Sequence, residues 1–260
     1  MKSKDQFDTA INIIGSIPDY HLIFNTIEQH FINPEKLSEI IINQNIFNIR
    51  TEESRRRFLR VVNSSILSFS SPQHEEIMKR IFTLDLSTEV KLLVLFWQFS
   101  INNNLFYKIS KDVFIKHYFS GRSSISKNDI TAYLIELLSF EDNSKNRWSD
   151  KTINIVASKY LTILKKLNIV TGRVQVHFSH VHLSDESLLI FLFLLKAHKP
   201  TQSNILNSDL LSFSMMQKDN LIARIKKLSQ RGFLKMKYTG DSLNIDMTCG
   251  IEGLKNVVSK

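Results

Sequence analysis

The chain has 260 residues, 43% of them hydrophobic, with 34 Lys and Arg against 25 Asp and Glu for a formal charge of +9, and a single cysteine. That length predicts two or three small domains, and the apolar content suffices for packed cores. One cysteine, Cys249, excludes an intrachain disulfide and any multi-cysteine metal centre.

The positive charge favours a polyanionic partner. A composition rich in Ile, Asn, Lys and Phe raises the lysine count for no functional reason, so clustering has to decide. The opening MKSKDQFDTAINIIGS lacks the apolar run of a signal peptide. The greasiest stretches, LLVLFW from Leu92 and LLIFLFLL from Leu188, fall short of the roughly 18 apolar residues of a membrane span. A soluble, cytoplasmic protein with no membrane partner is expected.

Residues 1–108 read as a helical domain. Pro34 after Asn33 suits a first helical position, and Glu35 suits the positive end of the dipole. Thr51 caps a helix on which Phe58, Leu59, Val62, Ile66 and Phe69 recur at helical spacing, and Ser71-Pro72 is read as its end. A strongly apolar helix runs from Ser87 to about Phe99, followed by a polar turn at residues 102–104.

Residues 109–180 read as a winged-helix-like middle domain. Phe114, Tyr118 and Phe119 lead to a turn at Gly121, and Ser126 to Asp129 open a helix. After the polar loop EDNSKNR, Ser149 caps a second helix with Ile153, Val156, Ala157, Tyr160, Leu164 and Leu167 inward. Beyond Gly172 the alternation predicts Val174, Val176 and Phe178 on one face, with Arg173, Gln175 and His177 on the other.

Residues 181–260 read as a C-terminal winged-helix domain. Ser184-Asp185-Glu186 starts a helix that is apolar all round and therefore internal, and His198-Lys199-Pro200 stops it. A short helix over residues 209–213 follows. Ser214 and Gln217 fit a capping box for the next helix. Gly232 ends that helix and Gly240-Asp241 turns a two-stranded wing.

These last two segments repeat one theme. Ile163 to Leu167 (ILKKL) and Arg224 to Leu228 (RIKKL) each close a helix just before a Gly-punctuated β segment. Helix, basic helix, hairpin is the order of a winged helix-turn-helix, so the fold class expected is mainly α with small hairpins. Recognition helices turn polar and basic side chains away from the core. The expected outward stripe is Gln217, Asn220, Arg224, Lys227 and Arg231, extended on the wing by Lys235 and Lys237, with Asp219 the single acid between 217 and 237.

Gln217 and Asn220 suit base edges and the cations suit phosphates. The middle domain offers Arg147, Lys151, Asn154, Ser158, Thr162 and Lys165. A third patch gathers Arg50, Arg55, Arg56, Arg57 and Arg60, offset by Glu52 and Glu53. About six phosphates neutralised across the three patches would give a log–log salt slope near −5.

Catalytic and metal chemistry find little support. His177, His180 and His182 fall within six residues, but only the last two share a strand face and no third ligand is near. Glu89, Lys91 and Asp85 echo a nuclease acid–acid–lysine set without its strands or spacing. No phosphate loop, dinucleotide fingerprint or nucleophile elbow occurs. Trp97 suits packing better than base stacking, and Trp148, at a helix entrance beside Arg147, suits either. Neither enzyme activity nor a cofactor is expected.

At RWSDKTINIVASKYLTILKKLNIVTG the sequence resembles the BrxA family of bacteriophage-exclusion (BREX) defence systems. Thr51 with Ser54-Arg55 and the run FYKISKDVFIKHYF add to the resemblance, which spans roughly residues 15 to 180. It implies a non-enzymatic component of a phage-resistance island that also encodes a DNA methyltransferase, a large ATPase, a phosphatase-like and a protease-like protein. The family has been likened to the RNA-binding antitermination protein NusB. Duplex DNA is the expected partner, with RNA and a protein adapter role as alternatives.

Overall fold

The computed structural model describes residues 7–139, 148–248 and 250–251. Among them the protein is mainly α, with eleven α-helices and two small antiparallel sheets. It packs as two units, residues 1–68 with 98–180 and residues 69–97 with 181–260. The boundary falls inside an α-helix. The first part of that helix buries its side chains with the C-terminal residues, which no local pattern announces.

In the first unit, α1 (Ala10–Ile14) and α2 (His21–Ile32) precede a 3₁₀ turn at Pro34–Lys36 and a π turn at Glu39–Asn43. Helix α3 (Glu52–Ser65) starts as expected: Thr51 Oγ1 accepts from the Ser54 amide at 3.2 Å. Ser71-Pro72, read as a stop, instead opens α4 (Pro72–Thr83) in the second unit. Ser71 is its N-cap, and proline at the first position gives up only an amide that would have no helical partner.

Helix α5 (Thr88–Asn102) crosses between the units and α6 (Asn104–Ile109) follows at once. Asn103 caps α6 by accepting from the Phe106 amide at 2.8 Å, so the expected polar turn is a helix start. A π turn at Ser110–Ile115 leads into α7 (Lys116–Phe119). Strand β1 (Ser124–Ile125), helices α8 (Lys127–Ser139) and α9 (Asp150–Lys166), and strands β2 (Val170–Thr171) and β3 (Val176–Phe178) complete the unit.

The three strands are antiparallel in the order β1-β3-β2, with Ile125 opposite Val176 and Val170 opposite Phe178. Ser126 and Asp129 cap α8 reciprocally: the Ser126 amide donates to Asp129 at 2.8 Å and the Asp129 amide to Ser126 Oγ at 3.1 Å. All six expected inward residues of α9 are buried. Tyr160 shares a 3.0 Å hydrogen bond with Ser110 and lies 5.3 Å from Phe106, whose ring stacks on Phe99 at 4.2 Å.

On its other side α9 meets α1 through Gly15. A Cβ there would stand 2.8 Å from Lys159 O and 2.9 Å from Lys159 Cβ, closer than side chains approach. Gly15→Ala is therefore expected to push α1 off α9, costing about 1–3 kcal/mol, measurable by urea denaturation. Lys166 Nζ closes this junction by donating to Gly15 O at 3.2 Å and to Ile17 O, while lying 5.6 Å from the Tyr20 ring centre.

The second unit contains α4, the first part of α5, α10 (Asp185–His198), 3₁₀ turns at Ile205–Asn207 and Leu211–Ser214, α11 (Lys218–Gln230), and the hairpin β4 (Leu234–Tyr238) with β5 (Leu243–Met247). Leu188 to Leu192 on α10 are buried all round, as the apolar run requires. Trp97 anchors α5 within this unit: its ring lies 4.9 Å from Phe191 and its indole N–H donates to Phe213 O at 3.1 Å. Ser71 Oγ donates to Ala197 O at 2.9 Å, joining the start of α4 to the end of α10.

The expected Ser214 capping box does not form. Ser214 belongs to a 3₁₀ turn ended by Met215 at φ 53°, and Gln217 is the N-cap of α11.

Candidate nucleic-acid interface

Helix α11 does not present the stripe its spacing suggested. Leu221, Ile225 and Leu228 are its buried positions, so at 100° per residue the face opposite the core holds Asp219, Ala223, Lys226 and Gln230. Asn220, Arg224 and Arg231 lie on the flank, and Lys227 lies between the flank and the outer face. From there Arg224 reaches the start of α10, donating to Asp185 Oδ1 at 2.6 Å and to Leu183 O. Arg231 donates to Asp185 Oδ2 at 2.5 Å.

One carboxylate thus holds both arginines, and Arg224 is only 20% exposed. They brace α11 on α10 instead of standing free for phosphates. Lys227, Lys235 and Lys237 are exposed and without an ion pair among the described residues. Gln217 and Asn220 are exposed at the start of α11. Lys235 stands opposite Asp246 in the hairpin register, and that carboxylate pairs with Lys196 at 3.2 Å.

The arginine patch on α3 is mostly neutralised. Arg56 pairs with Glu52 at 2.6 Å and Arg57 with Glu53 at 2.7 Å. Half-buried Arg55 donates to Ile49 O at 3.0 Å. Arg50 and Arg60 are exposed, with no ion pair among the described residues.

The middle module is the cleaner surface. From Lys151 to Ser184 the sequence contains no Asp or Glu, while Lys151, Lys159, Lys165, Lys166 and Arg173 fall within the same span. This absence of acids is a sequence signal that counting cations on one helix face misses. Lys166 is taken up by the α1 junction, where burial and then Lys159 lower its pKa. The open face of α9 carries Lys151, Ile155, Ser158, Thr162 and Lys165, and Lys165 Nζ lies 3.5 Å from Arg173 O on the adjoining hairpin. Asn154 falls to one side of this face. Arg147 lies outside the described residues.

The hairpin tip departs from the expected alternation. Gly172 has φ +96°, and a Cβ there would lie 2.0 Å from Gln175 O, so the turn is too tight for any other residue. The strand begins only at Val176, and Arg173, Val174 and Gln175 all project outward, Val174 being fully exposed at 101% instead of inward.

Beside α8 an open cleft of about 600 Å³ is lined by Lys108, Asp112, Lys116, His117, Asp129 and Tyr133, among others. Its charges alternate in sign, and Tyr133 donates to Asp112 at 2.6 Å. It offers no single-sign surface for a polyanion. His117 Nε2 lies 3.3 Å from Arg122 Nη1, and Arg122 pairs with Asp129 at 3.4 Å.

Burial, then Arg122, lowers the His117 pKa below 6.5, with Asp129 opposing. Burial, then Lys199, does the same to His198. For both, the unfolded chain takes up a proton first as pH falls, so their contribution is complete above 6.5 and is lost as pH falls through the folded values. The thermal midpoint is expected to fall on that side, and the pair of changes His117→Gln and His198→Gln should flatten the fall. A midpoint slope unchanged by both substitutions would contradict this.

The architecture is that of a small helical protein with basic helix–hairpin elements. The BrxA family model matches residues 25–192, from within α2 to within α10, and the chain belongs to the BrxA family. Membership makes it a component of a bacteriophage-exclusion defence system. No curated protein matches the chain. Among the described residues no helix is long and apolar enough to cross a membrane.

Proposed function

We propose that the protein is a non-enzymatic, duplex-DNA-binding component of its defence system, holding DNA mainly through phosphates with little sequence specificity. The observation that carries this reading is the acid-free stretch from Lys151 to Ser184, with Lys151 and Lys165 on the open face of α9 and Arg173 on the projecting tip. The module's order supports it. Helix, strand, helix, helix and hairpin, with the sheet in the order β1-β3-β2, is the plan of a winged helix-turn-helix, in which the second helix of the pair faces the major groove.

The α10–α11–hairpin arrangement of the second unit repeats the plan more loosely, and Lys227, Lys235 and Lys237 would give that unit phosphate contacts of its own. Duplex DNA is favoured over duplex RNA because the A-form major groove is too deep and narrow for side chains to read. The methyltransferase, ATPase and phosphatase-like components of such systems are the protein partners this reading implies.

Gel-shift titration with unrelated DNA duplexes and an RNA duplex of equal length, at two salt concentrations, tests it. Expected is DNA binding that weakens with salt and varies little with sequence. Tighter RNA binding would replace the reading with an antitermination-type one. Absent or salt-insensitive binding would leave a protein adapter.

A further inference from the structure

The open face of α9 is chemically divided. Lys151 and Lys165 stand near its two ends, about 21 Å apart along the axis at the helical rise, and half-buried Lys159 lies at its edge on the α1 side. Between them lies Ile155, an apolar side chain left 39% exposed on a helix whose other large apolar residues are buried.

The neighbouring polar groups are turned back onto the helix. Ser158 Oγ donates to Asn154 O and Thr162 Oγ1 to Ser158 O, both at 2.9 Å, and Asn154 Nδ2 donates to Asp150 O at 2.9 Å. The middle of the face therefore offers carbon, not free amide or guanidinium donors, and it is flanked by ammonium groups.

A helix laid along a DNA major groove meets the same kinds of group, with its end cations beside the phosphate edges and its middle over the floor. Phosphates line edges about 12 Å apart, and the apolar group on the floor is the thymine 5-methyl. Resting on the DNA-binding reading above, we propose that Ile155 packs against thymine methyl groups while Lys151 and Lys165 reach the flanking phosphates. The protein would then favour thymine-bearing grooves without reading base edges by hydrogen bonds. Burying one methyl is worth a factor of about three to four in affinity, so the preference is mild and compatible with binding to many sequences.

The test compares one duplex containing thymine with the same duplex containing deoxyuridine, which differs only by the methyl. The full-length protein is expected to bind the thymine duplex about threefold to tenfold tighter, for one or two methyl contacts. Ile155→Ala should bind both duplexes alike, near the wild-type level for deoxyuridine. Its circular dichroism melting curve should match the wild type, since the site is exposed.

Equal wild-type affinity for the two duplexes would overturn the proposal and leave phosphate binding standing. A preference that persists in the folded Ile155→Ala variant would overturn the assignment to Ile155. No binding to either duplex would overturn both readings. A protein cross-linked from a photoreactive residue at position 155, in place of the duplex, would hand this face to a partner subunit.

Discussion

Trp97→Ala is expected to destabilise the second unit by about 3–5 kcal/mol, the range for deleting a large core aromatic. Trp97 is 2% exposed, its ring meets Phe191, and its indole N–H is used by Phe213 O. Truncation would remove the ring from between α5 and α10 and strand a buried carbonyl as well. Trp97→Phe separates these effects: it keeps most of the apolar volume and loses only the donor, for about 1–3 kcal/mol. Guanidinium denaturation followed by circular dichroism measures both. A loss from Trp97→Ala no larger than that from Trp97→Phe would show that the ring contributes little.

Reversing three charges together, Lys151→Glu, Lys165→Glu and Arg173→Glu, is expected to have the largest effect on DNA binding. Each phosphate contact adds about 0.9 to the magnitude of the log–log salt slope, so losing three should make it shallower by about 2.7. Affinity at low salt should fall by roughly tenfold or more. Three exposed or half-exposed side chains outside the core should leave the melting curve nearly unchanged.

Arg224→Glu should behave in the opposite way. It would set a new carboxylate against Asp185 and remove a charged hydrogen bond, costing about 1.5–3 kcal/mol of stability, with a smaller change in salt slope. If Arg224→Glu abolished binding while the triple variant bound normally, the interface would belong to α11.

This contrast marks where the sequence was legible and where it was not. The caps Thr51, Ser149 and Ser184 and the inward stripe of α9 could be read because helical spacing and capping chemistry are local. Spacing alone does not fix rotational phase. On α11 the phase is set by Leu221, Ile225 and Leu228, and it turns Arg224 and Arg231 toward an aspartate 39 and 46 residues earlier in the chain.

Strand β1 has two residues and no pattern to detect; it exists through its pairing with β3. Val174 obeyed the alternation, but the turn at Gly172 forbade the strand from starting that early. The more informative charge signal near α9 was negative: the missing acids, which a search for cations passes over.

The boundary inside α5 has a consequence for synthesis. A ribosome releases residues 69–97 before any of residues 181–251 that cover them has been made. At about 5–20 residues per second, the intervening stretch takes several seconds, during which Phe96 and Trp97 await Phe213 and Phe191. The nascent chain therefore carries a greasy, half-finished surface while its first unit is still being completed, and a message cut short after residue 180 would leave that surface permanently bare.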